Sequence, residues 1–151
     1  MMMTGQRLAR QLGFLAVLAL MVMAVPVVAA DLTHRVAIHV DDNDKKRMNM
    51  ALNNAANVDK YYKSKGQKVQ IEIVAYGPGL HMLREDTSPV KERIAAMGLS
   101  MDNLSFAACG NTHRKMSAKA PVKLVSEAKM VPSGVIRLIE LQEKGWAYVR
   151  P

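Results

Sequence analysis

The chain holds one cysteine, Cys109, and its position is chemically suggestive. Cys109 follows the apolar run LSFAA at residues 104–108 and precedes Gly110, Asn111, Thr112 and His113. Such a run reads as a strand, and Asn and Thr are residues that open helices. A thiol at a strand-to-helix turn meets the free N–H groups and partial positive charge of a helix N-terminus. Both favour thiolate over thiol, and the thiolate is the nucleophile. His113, Arg114 and Lys115 add positive charge within the next turn. Gly110 lets backbone approach a substrate closely. The alternative is an inert cysteine that finishes a core strand. With no second cysteine to resolve a disulfide, a self-contained dithiol oxidoreductase is not supported.

Two histidines are further candidates for binding or proton transfer. His39 lies in the β-branched run RVAIHV, with Ile38 and Val40 directed to the opposite face. It is either a hydrogen-bonded core residue or a relay or binding group near Cys109. His81 follows the break Gly77-Pro78-Gly79 and is either an acid or base near Cys109 or a loop cap. Asn111, Thr112 and His113 sit beside the thiol in sequence and join the candidate binding set. Asp41, Asp42 and Asp44 read as loop and cap residues. No CxxC or HxxxH pair is present, so no metal set is read, and no cofactor is implied. There is no GxGxxG after the first strand, no Walker A loop and no GxSxG elbow.

The elements that must position these residues alternate. Strands are predicted at residues 35–40, 69–76, 104–108, 129–131 and 146–149. A helix over 44–65 carries Met48, Leu52, Ala55, Val58 and Tyr62 on one face and ends before Gly66. A short helix covers 80–84. Ser88 and Pro89 open the next, as N-cap and first residue, and Gly98 ends it. Asn111 and Thr112 cap a helix reaching about Lys119, which Pro121 stops. Ser133 caps the last, which runs to Gly145. The alternation implies an α/β fold with a mostly parallel sheet covered on both faces. Ligands in such folds bind beyond the carboxyl ends of the strands. The loops at 41–44, 76–81, 109–113 and 132–134 all fall at that edge.

The first thirty residues read differently. Arg7 and Arg10 precede an uncharged apolar run over residues 12–28, and Ala29-Ala30 stand before Asp31. This is the order of a secretory signal peptide, with an uncleaved membrane anchor as the alternative. The sequence therefore divides into a signal segment, 1–30, and one α/β domain, 31–151, exported to the periplasm. Removing thirty residues and their two arginines from a 151-residue chain of net charge +8 leaves 121 residues at +6. That length buries a core without disulfides. The basic residues are scattered and aromatics are few, which argues against nucleic acid and leaves small anions as fitting partners.

Four segments carry a family resemblance: HRVAIHVDDND at 34–44, IEIVAYGPG at 71–79, LSFAACGNT at 104–112, and VPSGVIRLIELQEKGWAYVRP at 131–151. Through them the chain resembles the DsrE/DsrF-like (YchN-like) family of small sulfur-relay proteins. The resemblance implies a three-layer α/β/α sandwich with a five-stranded parallel sheet. It also implies assembly into oligomers, whether dimers, trimers or hexamers. In relay members of the family a cysteine after a central strand carries sulfur as a persulfide, and Cys109 matches that position. The expected function is a periplasmic carrier that takes sulfane sulfur on Cys109. Its partners would be sulfur donor and acceptor proteins or small anionic sulfur compounds. The competing reading is a non-enzymatic module for a small ligand, a metal or assembly, with a structural Cys109. A sulfurtransferase turning over free substrate stays open as a third.

Overall fold

The computed structural model describes residues 33–151; the proposed signal segment lies outside the described residues. Five strands are present: β1 Thr33–Val40, β2 Lys68–Ala75, β3 Leu104–Cys109, β4 Ala128–Val131 and β5 Ala147–Val149. The helices between them are α1 Lys45–Ser64, a 3-10 helix Gly77–Leu83, α2 Lys91–Ser100, α3 Gly110–Ser117 and α4 Gly134–Glu143. All strand pairs are parallel, in the order β4-β3-β2-β1-β5.

That order dictates how the helices divide. Crossovers between parallel strands are right-handed, so connections stepping the same way across a sheet put their helices on the same face. The steps β1 to β2, β2 to β3 and β3 to β4 run one way. The step from β4 back across to β5 runs the other way, so among the described residues α4 is the helix that takes the opposite face. The cores agree. Val36, Ile38, Val40, Ile71, Ile73, Phe106 and Ala108 join Met48, Leu52, Ala55 and Ile94 in one large cluster, with Met116 of α3 against it. The α4 face holds a small cluster, Ala37, Val74, Ala107, Leu138 and Leu141. Full burial of a large aliphatic or aromatic side chain is worth about 1.5–3 kcal/mol, so the first face carries most of the stabilisation.

Local signals explain most element ends. Asp44 caps α1 by accepting the Arg47 N–H at 2.8 Å. Gly66, at φ 66°, closes it. The sequence places the start of α2 at Ser88-Pro89 and its end at Gly98, but the helix runs from Lys91 to Ser100 with Val90 at the N-cap. Ser88 does not cap because its hydroxyl donates to the Met82 carbonyl and accepts the Val90 N–H, making a turn instead. Gly98 lies inside the helix, where a Cβ would come within 2.9 Å of Glu127 Cγ. A Cβ there would require the Glu127 side chain to shift, and the glycine does not end the helix. The short helix begins earlier than the apolar pattern suggests, at Gly77, and α3 begins at Gly110 rather than after Asn111 and Thr112.

Candidate functional site

In an open parallel sheet, ligands bind where neighbouring strands send their chains to opposite faces. Here that point lies between β3 and β4. β3 leads into α3 on the large-core face, and β4 leads into α4 on the other. Cys109 is the last residue of β3, level with Val131 of β4. Alternation along β3 directs its side chain, with that of Ala107, to the α4 face. The sulfur thus lies where α3 and α4 begin.

The start of α3 at Gly110 makes Cys109 its N-cap residue and places Asn111 and Thr112 second and third in the helix. Those are the N–H groups an N-cap side chain ordinarily receives. The neutral thiol closes no regular cap bond, but the surroundings favour the thiolate more than an ordinary cysteine's do. Burial pushes the thiol pKa up. The Thr112 hydroxyl and the N–H groups of Gly134, Thr112 and Asn111 outweigh it, and the net direction is down from the ordinary value. Two helix N-termini therefore converge on one sulfur. Thr112 is oriented for the task. Its Oγ1 accepts the Gly77 N–H at 2.9 Å, which leaves its own hydrogen for the sulfur. Gly77 adopts φ 52°, a conformation glycine takes without strain. Cys109 is also buried, at 4% exposure.

His39 shares this edge and, by alternation, this face, but it does not touch the sulfur. It pairs with Val74 of β2, which in turn pairs with Ala107 of β3, so two strand spacings separate it from Cys109. Its Nδ1 lies 2.7 Å from the Tyr148 hydroxyl of β5. Its ring stacks on Tyr76 at 4.6 Å between centroids. Its Nε2 is buried without a hydrogen-bond partner, 3.8 Å from Asp41 Oδ2. Burial lowers the His39 pKa, against the raising effect of Asp41, so the imidazole favours its neutral form. Burial and then the Asp41 charge push the Tyr76 phenol up, which keeps that ring neutral. Asp41 is held below the ordinary carboxylate range by two hydrogen bonds from Arg150, at 3.1 and 2.9 Å.

The other candidates divide. Thr112 belongs to the site. Asn111 reaches it through its N–H, which also donates to Pro132 O at 3.3 Å, while its side chain accepts from Arg114. His113 Nε2 lies 2.9 Å from the Val122 carbonyl and His81 Nδ1 2.8 Å from Thr87 Oγ1, contacts that do not involve Cys109. Among the described residues no three His, Cys, Asp or Glu side chains converge as a metal set. Sequence reasoning missed Gly134, Tyr76 and Tyr148 as individual site residues. The first two lie in loops already marked at the strand edge. Tyr148 gave no signal beyond the aromatic character of a short terminal strand.

A parallel α/β domain with a single helix-capped thiol at its switch point defines a class of small thiol proteins. The family match makes this specific: residues 34–151 match the DsrE/DsrF-like family, and the chain belongs to it. At the level of the family this connects the chain with sulfur relay. A solved structure of a protein of unknown function from Methanobacterium thermoautotrophicum is similar in fold, with TM-score 0.66 and 32% identity. The alignment covers 78% of this chain and 99% of that one. Among curated proteins none matches the sequence.

Proposed function

We propose that this protein is an exported sulfur carrier that accepts sulfane sulfur as a persulfide on Cys109. The observation that carries the reading is the convergence of the Thr112 hydroxyl and the Asn111, Thr112 and Gly134 N–H groups on one thiol. With thiosulfate, the Cys109 thiolate attacks the outer sulfur. The bond from that sulfur to the sulfonate group breaks, sulfite leaves with the electron pair, and Cys109 holds a persulfide anion. No proton or outside oxidant is needed. In discharge, an acceptor thiolate attacks the terminal sulfur and Cys109 leaves as thiolate. A lowered thiol pKa assists this second step, because a more acidic thiol is a better leaving group. One cysteine suffices, since donor and acceptor are other molecules.

Export rests on residues 1–30, whose charged start, apolar run and small residues before Asp31 fit a cleaved signal, and it puts the carrier in the periplasm. Assembly into homo-oligomers is supported by the apolar residues exposed on the thinly covered face, Val135, Ile136 and Ile139 of α4 among them.

The test is intact mass after incubation with thiosulfate or polysulfide, beside Cys109→Ser. The carrier gains mass in steps of one sulfur, loses it to a reductant, and the variant gains none. The near-complete burial of Cys109 favours the second reading, a ligand-binding or assembly module with a structural cysteine. An unmodified Cys109, under conditions that load a known persulfide protein, establishes that reading instead.

A further inference from the structure

A nucleophile at 4% exposure is reached only by what its surroundings admit. On the α4 side of the strand edge one side chain, Tyr76, stands beside it, and two more hold Tyr76 in place. A Cβ built on Gly134 would stand 2.8 Å from Tyr76 Cβ, 2.9 Å from Tyr76 Cδ1 and 3.2 Å from Cys109 Cβ. The first turn of α4, the Tyr76 side chain and Cys109 therefore share one point, which only glycine leaves open. The edge of Tyr76 is thus set against Gly134 beside the cysteine.

The face of Tyr76 rests on His39, with ring planes 26° apart. A half-buried tyrosine at a strand end could otherwise turn about its side-chain bonds. His39 restrains it and is itself restrained, at 5% exposure and with Nδ1 on the Tyr148 hydroxyl. The Asp41 carboxylate near Nε2 favours the tautomer with its proton there, so Tyr148 donates to Nδ1. Three rings from β5, β1 and the end of β2 make a row that ends at Tyr76, beside the point it shares with Cys109 and Gly134. An imidazole nitrogen buried without a partner is costly. The chain retains it where the ring supports Tyr76.

We propose that Tyr76 is a specificity-determining residue that restricts Cys109 to small sulfur donors, and that His39 and Tyr148 are positioning residues acting through it. The inference rests on the Cys109 carrier reading and names its substrate class: compact inorganic sulfur anions pass, and bulky organic persulfides do not.

The test uses two reagents of one chemistry and different size, methyl and benzyl methanethiosulfonate. In both, the thiolate attacks the sulfenyl sulfur, a mixed disulfide forms and methanesulfinate leaves. Cys109 is the only thiol, so intact mass reads its rate directly. The methyl-to-benzyl rate ratio, divided by that of free cysteine, is expected at about tenfold or more in the wild type. Tyr76→Phe keeps the ratio, Tyr76→Ala brings it to within about twofold of free cysteine, and Tyr148→Phe and His39→Gln lower it in the same direction. A purely structural role raises both rates together and leaves the ratio unmoved. That result overturns the proposal, as does a wild-type ratio equal to that of free cysteine. Should Tyr76→Ala fail to fold, an unchanged ratio in Tyr148→Phe and His39→Gln overturns it equally. Because neither reagent delivers sulfane sulfur, a protein that discriminates by size yet never loads from thiosulfate or polysulfide keeps the role of Tyr76 and loses only the carrier reading.

Discussion

Thr112 does two things with one hydroxyl. It takes the Gly77 N–H and turns its own hydrogen toward Cys109. A hydrogen bond to a charged group is worth about 1.5–3 kcal/mol, so Thr112→Val is expected to raise the midpoint of the Cys109 alkylation profile by about one pH unit or more. Thr112→Ser should retain the wild-type midpoint. Iodoacetamide rates measured across pH check both, and an unmoved midpoint in Thr112→Val would show that the helix N–H groups act alone. His39 makes a second prediction at this scale. Its folded pKa is lowered below the ordinary 6.5, chiefly by burial, with Asp41 and Asp42 opposing and Arg150 assisting. As pH falls through that ordinary value, the unfolded chain takes a proton that native His39 refuses. Stability therefore declines with acidification until native His39 also protonates. Urea midpoints at about pH 7 and pH 5.5 should differ less in His39→Gln than in the wild type. An equal loss in both would assign the acid sensitivity to other groups.

The element that decides the site is α4. It presents Leu138 and Leu141 to the sheet, and its first N–H, that of Gly134, faces Cys109. It is anchored by an ion pair as well as by apolar contact. Arg137 reaches Glu72 of β2 through two hydrogen bonds of 2.7 Å, and Glu72 is 6% exposed. Removing one partner of a buried pair strands the other charge. Arg137→Met is thus expected to cost about 3 kcal/mol in chemical unfolding, and Glu72→Gln added to it should recover a large part. Strictly additive losses would mean the pair is solvated and contributes little. The pair also bears on what the sequence hid. RVAIHV and IEIVA read correctly as strands, but Glu72 within IEIVA gave no hint of a partner sixty-five residues on. The start of α2 was misplaced for a similar reason. Ser88 is a good N-cap by type, and only the folded chain shows its hydroxyl spent on Met82.

Across the whole molecule the two faces of the sheet are unequal. Among the described residues, the backward step to β5 leaves α4 as the one helix over one of them. Val135, Ile136 and Ile139 project from it at 45–51% exposure, and Tyr148 of β5 is exposed on the same side of the sheet. These exposed apolar side chains are what the proposed homo-oligomer would cover. In the homo-oligomer proposed above, Ile136→Lys is expected to shift the light-scattering mass toward the monomer while the thermal melt of the subunit stays close to wild type. A wild-type protein already monomeric at working concentration would remove the oligomer from the proposal.

The sequence by itself determined the alternation of strands and helices, the parallel sheet and the family. It also placed Cys109 at a strand-to-helix turn. These are local properties: hydrophobic period, turn residues and the order of elements are written along the chain. Only the tertiary structure decided that two helix N-termini meet at the sulfur, that Thr112 is aimed by Gly77, and that His39 supports Tyr76 and does not touch Cys109. It likewise paired His81 with Thr87 and His113 with the Val122 carbonyl. Each depends on strand order, since the position of β4 beside β3 and of β5 beside β1 brings together residues twenty to more than a hundred positions apart. No pattern within a single segment encodes that choice.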